Sequence, residues 1–165
     1  MALFRPFYFI DSLSQLSPEL LRMQNINLVL LDIDDTLTSQ GGQYIDPVTL
    51  HWLQSMKASN LKIFLISNNF SGRVKKFADK VDLPFIYLSC KPLPIGFALA
   101  LLKTHTKRKN ALIVGDQIFT DVLGANLLGV KSALVEPNGK SKTYFMKFKR
   151  LIEAPIKSKL IKNKF

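Results

Sequence analysis

Five short apolar runs recur along the chain. They cover residues 28–31, 61–66, 85–88, 111–114 and 132–135. Each run is apolar without a regular polar alternation, which is typical of β-strands that are covered on both faces. The runs therefore predict five strands in the interior of the protein.

Helical segments with recognisable start and stop signals separate these runs. They are predicted to begin at Ser17-Pro18, at Asp46-Pro47, after Ser71, at Pro94 and at Thr120, the last one stopping at Gly129. Strands that alternate with helices favour right-handed crossovers and a parallel sheet. We therefore predict an α/β fold of three Rossmann-like layers, in which a five-stranded parallel sheet has helices on both faces.

The length of 165 residues fits one domain, and no linker or internal repeat divides the chain. After the last apolar run, Tyr144, Phe148, Leu151 and Ile152 fall on one helical face, which is expected to pack on the core. The prediction is a single domain over residues 1–165 with a basic helical extension at about 140–165.

Positive charge is concentrated in this extension. The chain has 23 Lys and Arg against 12 Asp and Glu, a net charge of +11. Residues 137–165 contain nine basic residues and one acid, Glu153, and so carry +8 of that charge. Such a segment favours a polyanionic neighbour, either nucleic acid or an anionic membrane. Charge alone does not distinguish these partners.

No apolar stretch predicts a membrane span or a secretory signal. The longest, residues 93–102, has ten residues, whereas a span needs about 20. The first ten residues lack a basic start and a small-residue cleavage site. Cys90 is the only cysteine, which excludes an intramolecular disulfide and suits a reducing compartment. The expected location is the cytoplasm.

Three aspartates lie within four residues directly after the first apolar run, in the segment Leu31-Asp32-Ile33-Asp34-Asp35-Thr36-Leu37. In open parallel sheets, ligands bind beyond the carboxyl ends of the strands, so this segment is predicted at a functional edge. Clustered carboxylates repel one another unless a cation neutralises them, and Mg²⁺ prefers oxygen ligands. The segment therefore favours a metal site over a solvated acidic turn.

Polar residues also follow later runs. Ser67 and Asn68 offer hydroxyl and amide groups ahead of a helix N-terminus, where phosphate oxygens can bind. Asp116 would emerge beside Asp32 if the first and fourth strands are neighbours. Lys91 precedes the helix that begins near Pro94. Each feature taken alone also fits an ordinary turn, cap or surface lysine.

The order of these elements resembles the haloacid dehalogenase (HAD) superfamily of phosphotransferases. The pattern is Asp-x-Asp-x-Thr, then Ser, then Lys, then Gly-Asp-x-x-x-x-Asp, and it spans residues 28–129. The segments Ile-Ser-Asn-Asn, Cys-Lys-Pro and Gly-Asp-Gln-Ile-Phe-Thr-Asp extend the likeness to the small YqeG-type branch of subclass IIIA. That branch is related to phosphatidylglycerophosphatases, which remove the terminal phosphate of phosphatidylglycerophosphate. The resemblance implies an HAD-type phosphatase.

The resemblance also implies a metal site and a nucleophile. Asp32 would attack phosphorus and form an aspartyl-phosphate, and Asp34 would act as general acid and then general base. Mg²⁺ would be bound by Asp32, by the backbone carbonyl of Asp34 and by Asp116, although Mn²⁺ accepts the same kind of oxygen site. Thr36 would orient the loop, and Asp121 would support the metal through water or an indirect contact.

Phosphate binding is assigned by the same resemblance to Ser67, with Asn68 assisting, and to Lys91, which would offset negative charge. Phosphoryl transfer depends mainly on positioning and on neutralising the phosphoryl oxygens, so these groups suit the reaction. The intervals before Ser67 and before Lys91 are filled by strand, helix and loop, which leaves only residues 38–44 as a short flap. No inserted cap domain is expected, and an open site suits a phosphate on a large substrate.

Three functions stay open at this point. In the first, the basic extension and the aromatic residues at positions 4–9 rest on the inner face of an anionic membrane, and the substrate is a phospholipid phosphomonoester such as phosphatidylglycerophosphate. In the second, the same charge holds nucleic acid, and the site removes a terminal phosphate. The third is a non-enzymatic phosphoacceptor module, which the order of the motifs disfavours. The resemblance favours the first. The aromatic residues would alternatively close one end of the sheet.

Overall fold

The protein, described by a computed structural model over residues 2–39, 42–137 and 154–155, contains a parallel sheet with helices on both faces. The strands are β1 (Tyr8–Ile10), β2 (Leu28–Leu31), β3 (Lys62–Ile66), β4 (Phe85–Ile86), β5 (Ala111–Gly115) and β6 (Lys131–Val135). The α-helices are α1 (Pro18–Met23), α2 (Pro47–Ala58), α3 (Ser71–Val81), α4 (Ile95–Lys103) and α5 (Leu123–Leu128). The predicted three-layer fold is confirmed.

The sheet order is β1-β6-β5-β2-β3-β4, and every pair is parallel. The chain runs outward from β2 through β3 and β4, and then from β5 through β6 on the other side of β2. The direction of winding thus reverses between β2 and β5, where open parallel sheets leave a crevice for ligands. Leu31 pairs with Val114, so the residues that follow β2 and β5 emerge side by side.

Strand β1 is one more strand than the sequence predicts. Only three residues long, it pairs with β6 through Tyr8 and Ala133 at the edge of the sheet. The ring of Phe4 packs edge-on against Phe119, with 5.5 Å between the ring centroids. Part of the N-terminal aromatic cluster therefore packs against the protein beside the edge strand β1, while Phe7 stays exposed.

Helix starts agree with the sequence signals. The Ser17 hydroxyl accepts a hydrogen bond from the Leu20 amide at 3.2 Å, and the Asp46 carboxylate accepts one from the Thr49 amide at 2.9 Å. Both caps satisfy amides that a helix leaves without partners in its first turn. Helices α1, α2 and α3 pack on one face of the sheet, and α4 and α5 on the other.

The helix predicted from Thr120 begins with a π-helical turn over Ile118–Val122, and α5 follows it. Gly129 ends α5 in the left-handed conformation (φ +71°), as its position after the last apolar residues predicts.

Between β2 and β4, the described chain contains only α2, β3, α3 and their connecting loops, so no inserted cap covers the sheet edge in these ranges. Within the same described ranges, no helix is both long and apolar enough to cross a membrane. The predicted basic extension at about 140–165 lies outside the described residues, apart from the helical pair Ala154 and Pro155.

Candidate active site

The segment after β2 turns back on itself within a few residues. Asp35 adopts a positive φ of 60°, and its amide donates to the Thr38 carbonyl at 2.7 Å. The Thr38 amide donates in turn to the Ile33 carbonyl at 3.2 Å. The Asp32 amide donates to the Val114 carbonyl at 2.9 Å, which extends the β2–β5 pairing by one residue. This turn places Asp32, a residue that is 7% exposed, beside the crevice between the two strands.

Lys91 occupies the centre of the site. It lies on the loop after β4, and its side chain reaches inward until it is only 4% exposed. The ammonium donates to Asp32 Oδ1, to Asp121 Oδ1 at 2.7 Å and to the Ile66 carbonyl at 3.4 Å. A buried ammonium is stable only when it is paired and hydrogen-bonded, and these contacts meet both conditions. The predicted proximity of Lys91 to Asp32 is present in the structure.

Burial raises the pKa of the Asp32 carboxyl to about 7, because its charge is poorly solvated in this environment. The Lys91 ammonium opposes this rise, and repulsion from Asp121 and Asp34 adds to it. Burial also disfavours the charge on Lys91, but attraction to Asp121 and Asp32 outweighs that effect and raises the pKa of the ammonium above its usual value. Lys91 therefore remains a cation in the site.

Three carboxylates converge beside this lysine. Asp32, Asp116 and Asp121 are all buried, and each places one carboxylate oxygen within 4.8 Å of the other two. One ammonium does not balance three carboxylates, and such an oxygen set is what hard divalent cations prefer. The donor set therefore fits a divalent metal ion. The pairing of Asp32 with Asp116 follows the prediction, and Asp121 lies in the same group.

The loop after β5 brings Asp121 to this group. Asp121 lies in the π-helical turn and accepts hydrogen bonds from the Thr120 hydroxyl at 3.2 Å and the Gln117 amide at 3.3 Å. A β-carbon at Gly115 would overlap the Asp121 carboxylate. Glycine at the end of β5 is therefore required for the close approach of Asp121 rather than only for a sharp turn.

We expect Gly115→Ala to lower both turnover and stability. The added methyl group forces Asp121 away from Lys91, and overpacking of this kind costs about 1–3 kcal/mol. Gly72→Ala is the matched control, because a β-carbon at Gly72 meets nothing within 4 Å. Urea unfolding and phosphate release should separate the two variants. Wild-type turnover in Gly115→Ala would show that the position of Asp121 is unimportant.

Asp34 points to a different set of partners. Its carboxylate accepts a hydrogen bond from the side-chain NH2 group of Asn69. It also accepts one from the Arg73 guanidinium, with which it forms an ion pair. The predicted role of its backbone carbonyl at a metal stays a prediction. No role for Asn69 or Arg73 was predicted from the sequence. A signal was nonetheless present, because both residues follow Ser67 closely and the first turn of α3 places Arg73 at the same sheet edge.

Ser67 and Asn68 occupy different environments. Ser67 directly follows β3, is 1% exposed and accepts a hydrogen bond at its hydroxyl from the Asn69 backbone amide at 3.1 Å. The side chain of Asn68 accepts from the Ser89 hydroxyl at 2.9 Å and the Lys91 amide at 2.8 Å, and it donates to the Lys91 carbonyl at 3.0 Å. Asn68 therefore holds the loop that carries Lys91, and its predicted contact with phosphate stays a prediction.

Thr36 contacts Asp32 within the first motif, and its predicted role in orienting the loop stays a prediction. The residue is buried, and its hydroxyl donates to Asp32 Oδ2 at 3.4 Å. The two oxygens of Asp32 therefore have separate partners, Lys91 on one side and Thr36 on the other.

The sequence of this chain is similar to those of known phosphatases. A family model described as HAD-hydrolase-like matches residues 89–154. The probable phosphatase YqeG of Bacillus subtilis is 33% identical over 157 residues, which cover 95% of this chain and 91% of that protein. A mitochondrial phosphatidylglycerophosphatase of Saccharomyces cerevisiae is 33% identical over 121 residues, which cover 64% of each chain.

Solved structures with a similar fold include a HAD family hydrolase from Streptomyces avermitilis, with a TM-score of 0.55 and 18% identity over 67% of this chain and 71% of that chain. Cobalt-bound deoxy-D-mannose-octulosonate 8-phosphate phosphatase from Haemophilus influenzae has a TM-score of 0.55 and 13% identity over 81% of this chain and 90% of that chain. At these identities the likeness establishes the fold. Since the sequence match to YqeG spans nearly the whole length of both proteins, the chain belongs to the YqeG-type family of HAD-superfamily phosphatases.

Proposed function

We propose that this phosphatase is Mg²⁺-dependent, works through an aspartyl-phosphate on Asp32 and converts phosphatidylglycerophosphate to phosphatidylglycerol. The observation that carries the mechanism is the convergence of Asp32, Lys91, Asp116 and Asp121 at one edge of the sheet. These residues come from three separate loops, so their meeting is a property of the fold rather than of one local sequence.

The first step forms a bond between an Asp32 carboxylate oxygen and phosphorus. The bond from phosphorus to the substrate alcohol oxygen breaks, and that oxygen takes a proton from Asp34. Asp34 is held by Asn69 and Arg73 in the structure, so proton transfer requires it to turn toward the leaving oxygen. Lys91 offsets the negative charge of Asp32 and of the phosphoryl group as they approach each other.

The second step releases phosphate. Asp34, now a carboxylate, takes a proton from water while the water oxygen attacks phosphorus. The bond between phosphorus and the Asp32 oxygen breaks, which restores the Asp32 carboxylate and frees inorganic phosphate. A carboxylate nucleophile thus divides one difficult hydrolysis into two easier displacements.

The metal ion would be held by Asp32 and Asp116, with Asp121 beside them. When bound, it supplies positive charge that stabilises the phosphoryl oxygens in both steps. The mixed composition of the group, three carboxylates and one ammonium, accommodates a divalent cation without excess positive charge.

Three features support a phospholipid substrate. The site lies at an open sheet edge without an inserted cap in the described ranges, so a phosphate carried by a large assembly can reach it. One relative, at 33% identity over 121 residues, is a phosphatidylglycerophosphatase. The net charge of +11 also suits an anionic membrane surface. We propose in addition that the protein is cytoplasmic and peripherally attached to the inner face of the membrane.

A substrate panel tests this proposal. Phosphate release is measured from phosphatidylglycerophosphate in vesicles, from soluble phosphomonoesters and from 3′-phosphorylated DNA, with Mg²⁺ and with a chelator. We expect the lipid to have the highest kcat/KM and the chelator to abolish turnover. A higher kcat/KM for the DNA would favour the nucleic-acid alternative. Undiminished turnover in the chelator would contradict the metal mechanism.

A further inference from the structure

We propose that two loops at the mouth of the active site insert apolar side chains into an anionic phospholipid bilayer. The five residues concerned, here called the apolar rim, are Phe70, Tyr87, Leu88, Leu93 and Ile95. This inference deepens the proposed lipid phosphatase function and rests on it. It assigns the membrane-facing surface to the carboxyl ends of the strands, where the catalytic groups lie.

The rim belongs to the loops that carry the site. Phe70 lies on the loop between β3 and α3, four residues after the end of β3. The other four members lie on or beside the loop between β4 and α4, which also carries Lys91. The Leu88 amide donates to the Asn69 carbonyl and the Ser89 amide to the Ser67 carbonyl, both at 3.1 Å. The rim is therefore tied directly to the loop of Ser67.

On the loop between β4 and α4, the charged residue is buried and the large apolar residues are exposed, the reverse of an ordinary surface loop. Lys91 is buried, with 8% of the whole residue exposed, whereas the rim residues on both sides of it are 47–62% exposed, and Phe70 is 76% exposed. Surface loops usually expose their charged residues and bury their apolar ones. A group of large apolar side chains around a functional opening marks a surface that contacts an apolar phase or a partner.

Charge around the rim matches an anionic bilayer. The two loops, residues 67–70 and 87–94, contain no acidic residue. Helix α3, which begins directly after Phe70, presents the exposed Lys75 and Lys76 within its first two turns, and its one acidic residue, Asp79, lies in its last turn. Apolar side chains that enter the acyl region, flanked by lysines at the level of the headgroups, form a typical interfacial membrane contact.

The position of the rim favours a bilayer over a protein as its occupant. A protein partner or a second copy seated on these loops would cover the opening above Asp32 and Lys91. A bilayer seated there would instead present the headgroup phosphate to those residues and exclude bulk water from the site. One contact would thus supply the substrate and the cover that the cap-less fold lacks.

Vesicle binding by the full chain tests the proposal without requiring catalysis. The rim variant is Phe70→Ser/Leu88→Asn/Leu93→Ser. Serine suits Phe70, which precedes α3 at the N-cap position, and asparagine tolerates the positive φ of 45° at Leu88. The matched control is Met23→Ser/Leu102→Ser/Leu127→Ser, which removes exposed apolar side chains from other surfaces. Urea unfolding checks that both variants fold.

Sedimentation is measured with phosphatidylcholine vesicles, with and without phosphatidylglycerol, at low salt and at salt that screens the basic residues. We expect the wild-type protein and the control to bind anionic vesicles at both salt concentrations. The rim variant should bind at least about tenfold more weakly, because it loses most of the apolar area that would be buried. Equal binding by the rim variant and the wild type would overturn the proposal, as would absence of wild-type binding.

The experiments distinguish an incorrect membrane-contacting surface from an incorrect substrate assignment. If the rim variant loses vesicle binding while the wild type does not hydrolyse phosphatidylglycerophosphate, only the substrate assignment fails. If the wild type hydrolyses the lipid and the rim variant binds vesicles normally, only the surface is wrong. Conversion of a wild-type dimer to a monomer by the rim substitutions, without a change in vesicle binding, would assign the rim to a second copy of the chain.

Discussion

Asp32→Asn should reduce phosphatase turnover by at least about 10³-fold, because the amide has the shape of the carboxylate but cannot attack phosphorus. The fold should survive the change. Lys91 keeps its hydrogen bond to Asp121, and asparagine still offers its one side-chain oxygen to Lys91, while its NH2 group can donate to the Thr36 hydroxyl. The measurement is kcat/KM with the best substrate of the panel, together with urea unfolding of the variant.

Asp82→Asn is the matched control for this substitution. Asp82 is exposed and ends α3 in the left-handed conformation (φ 50°), which asparagine tolerates. We expect the control to retain wild-type turnover. Asp34→Asn should lose turnover together with Asp32→Asn, because the leaving alcohol then has no proton donor. Near-normal turnover in either of these two variants, in folded protein, would refute the assigned roles.

Lys91→Met should lower the free energy of unfolding by about 3–5 kcal/mol in metal-free protein, because it leaves the Asp32 and Asp121 carboxylates buried without their cation. A divalent metal ion bound by the same carboxylates should restore part of this loss, since ligands that bind only the folded state stabilise it. Turnover should also fall, since the phosphoryl group loses the cation beside it.

Urea unfolding in a chelator and in excess Mg²⁺ measures both effects on stability. Lys107→Met provides the control. Lys107 is an exposed lysine that directly precedes the short helical turn before β5 in the chain. Its unfolding free energy should stay within about 0.5 kcal/mol of wild type, as is usual for surface substitutions. If Lys91→Met were as stable as wild type in the chelator, the buried charge balance described for the site would be incorrect.

Local sequence signals predicted the elements whose formation depends on nearby residues. The Asp46-Pro47 pair marked the start of α2 because both the cap and the proline act within one turn. Strand β1 was missed for the opposite reason. It is three residues long and is held by pairing with β6, more than 120 positions away along the chain. No pattern within such a short segment records a partner at that distance.

Some features of the candidate site were likewise predictable from the sequence, and others were not. Motif order identified Asp32, Asp116 and Lys91, and the structure brings all three together. The contacts of Asp34 with Arg73 and of Asn68 with the Lys91 loop were not predictable. They depend on the distances between loops from different strands, which are set by the register of the sheet and not by spacing along the chain.

The amino-acid sequence alone determined the chemical groups of this phosphatase, their order along the chain and the strand ends at which they lie, because motif composition and apolar periodicity are local properties. Only the tertiary structure decided which of those groups form hydrogen bonds or ion pairs with one another. Pairing of β2 with β5 places Asp32 beside Asp116. Because Gly115 has no β-carbon, the Asp121 carboxylate can approach the same two residues. The physical reason is that interactions between buried charges depend on separations of a few ångströms, and packing of the whole domain sets those separations.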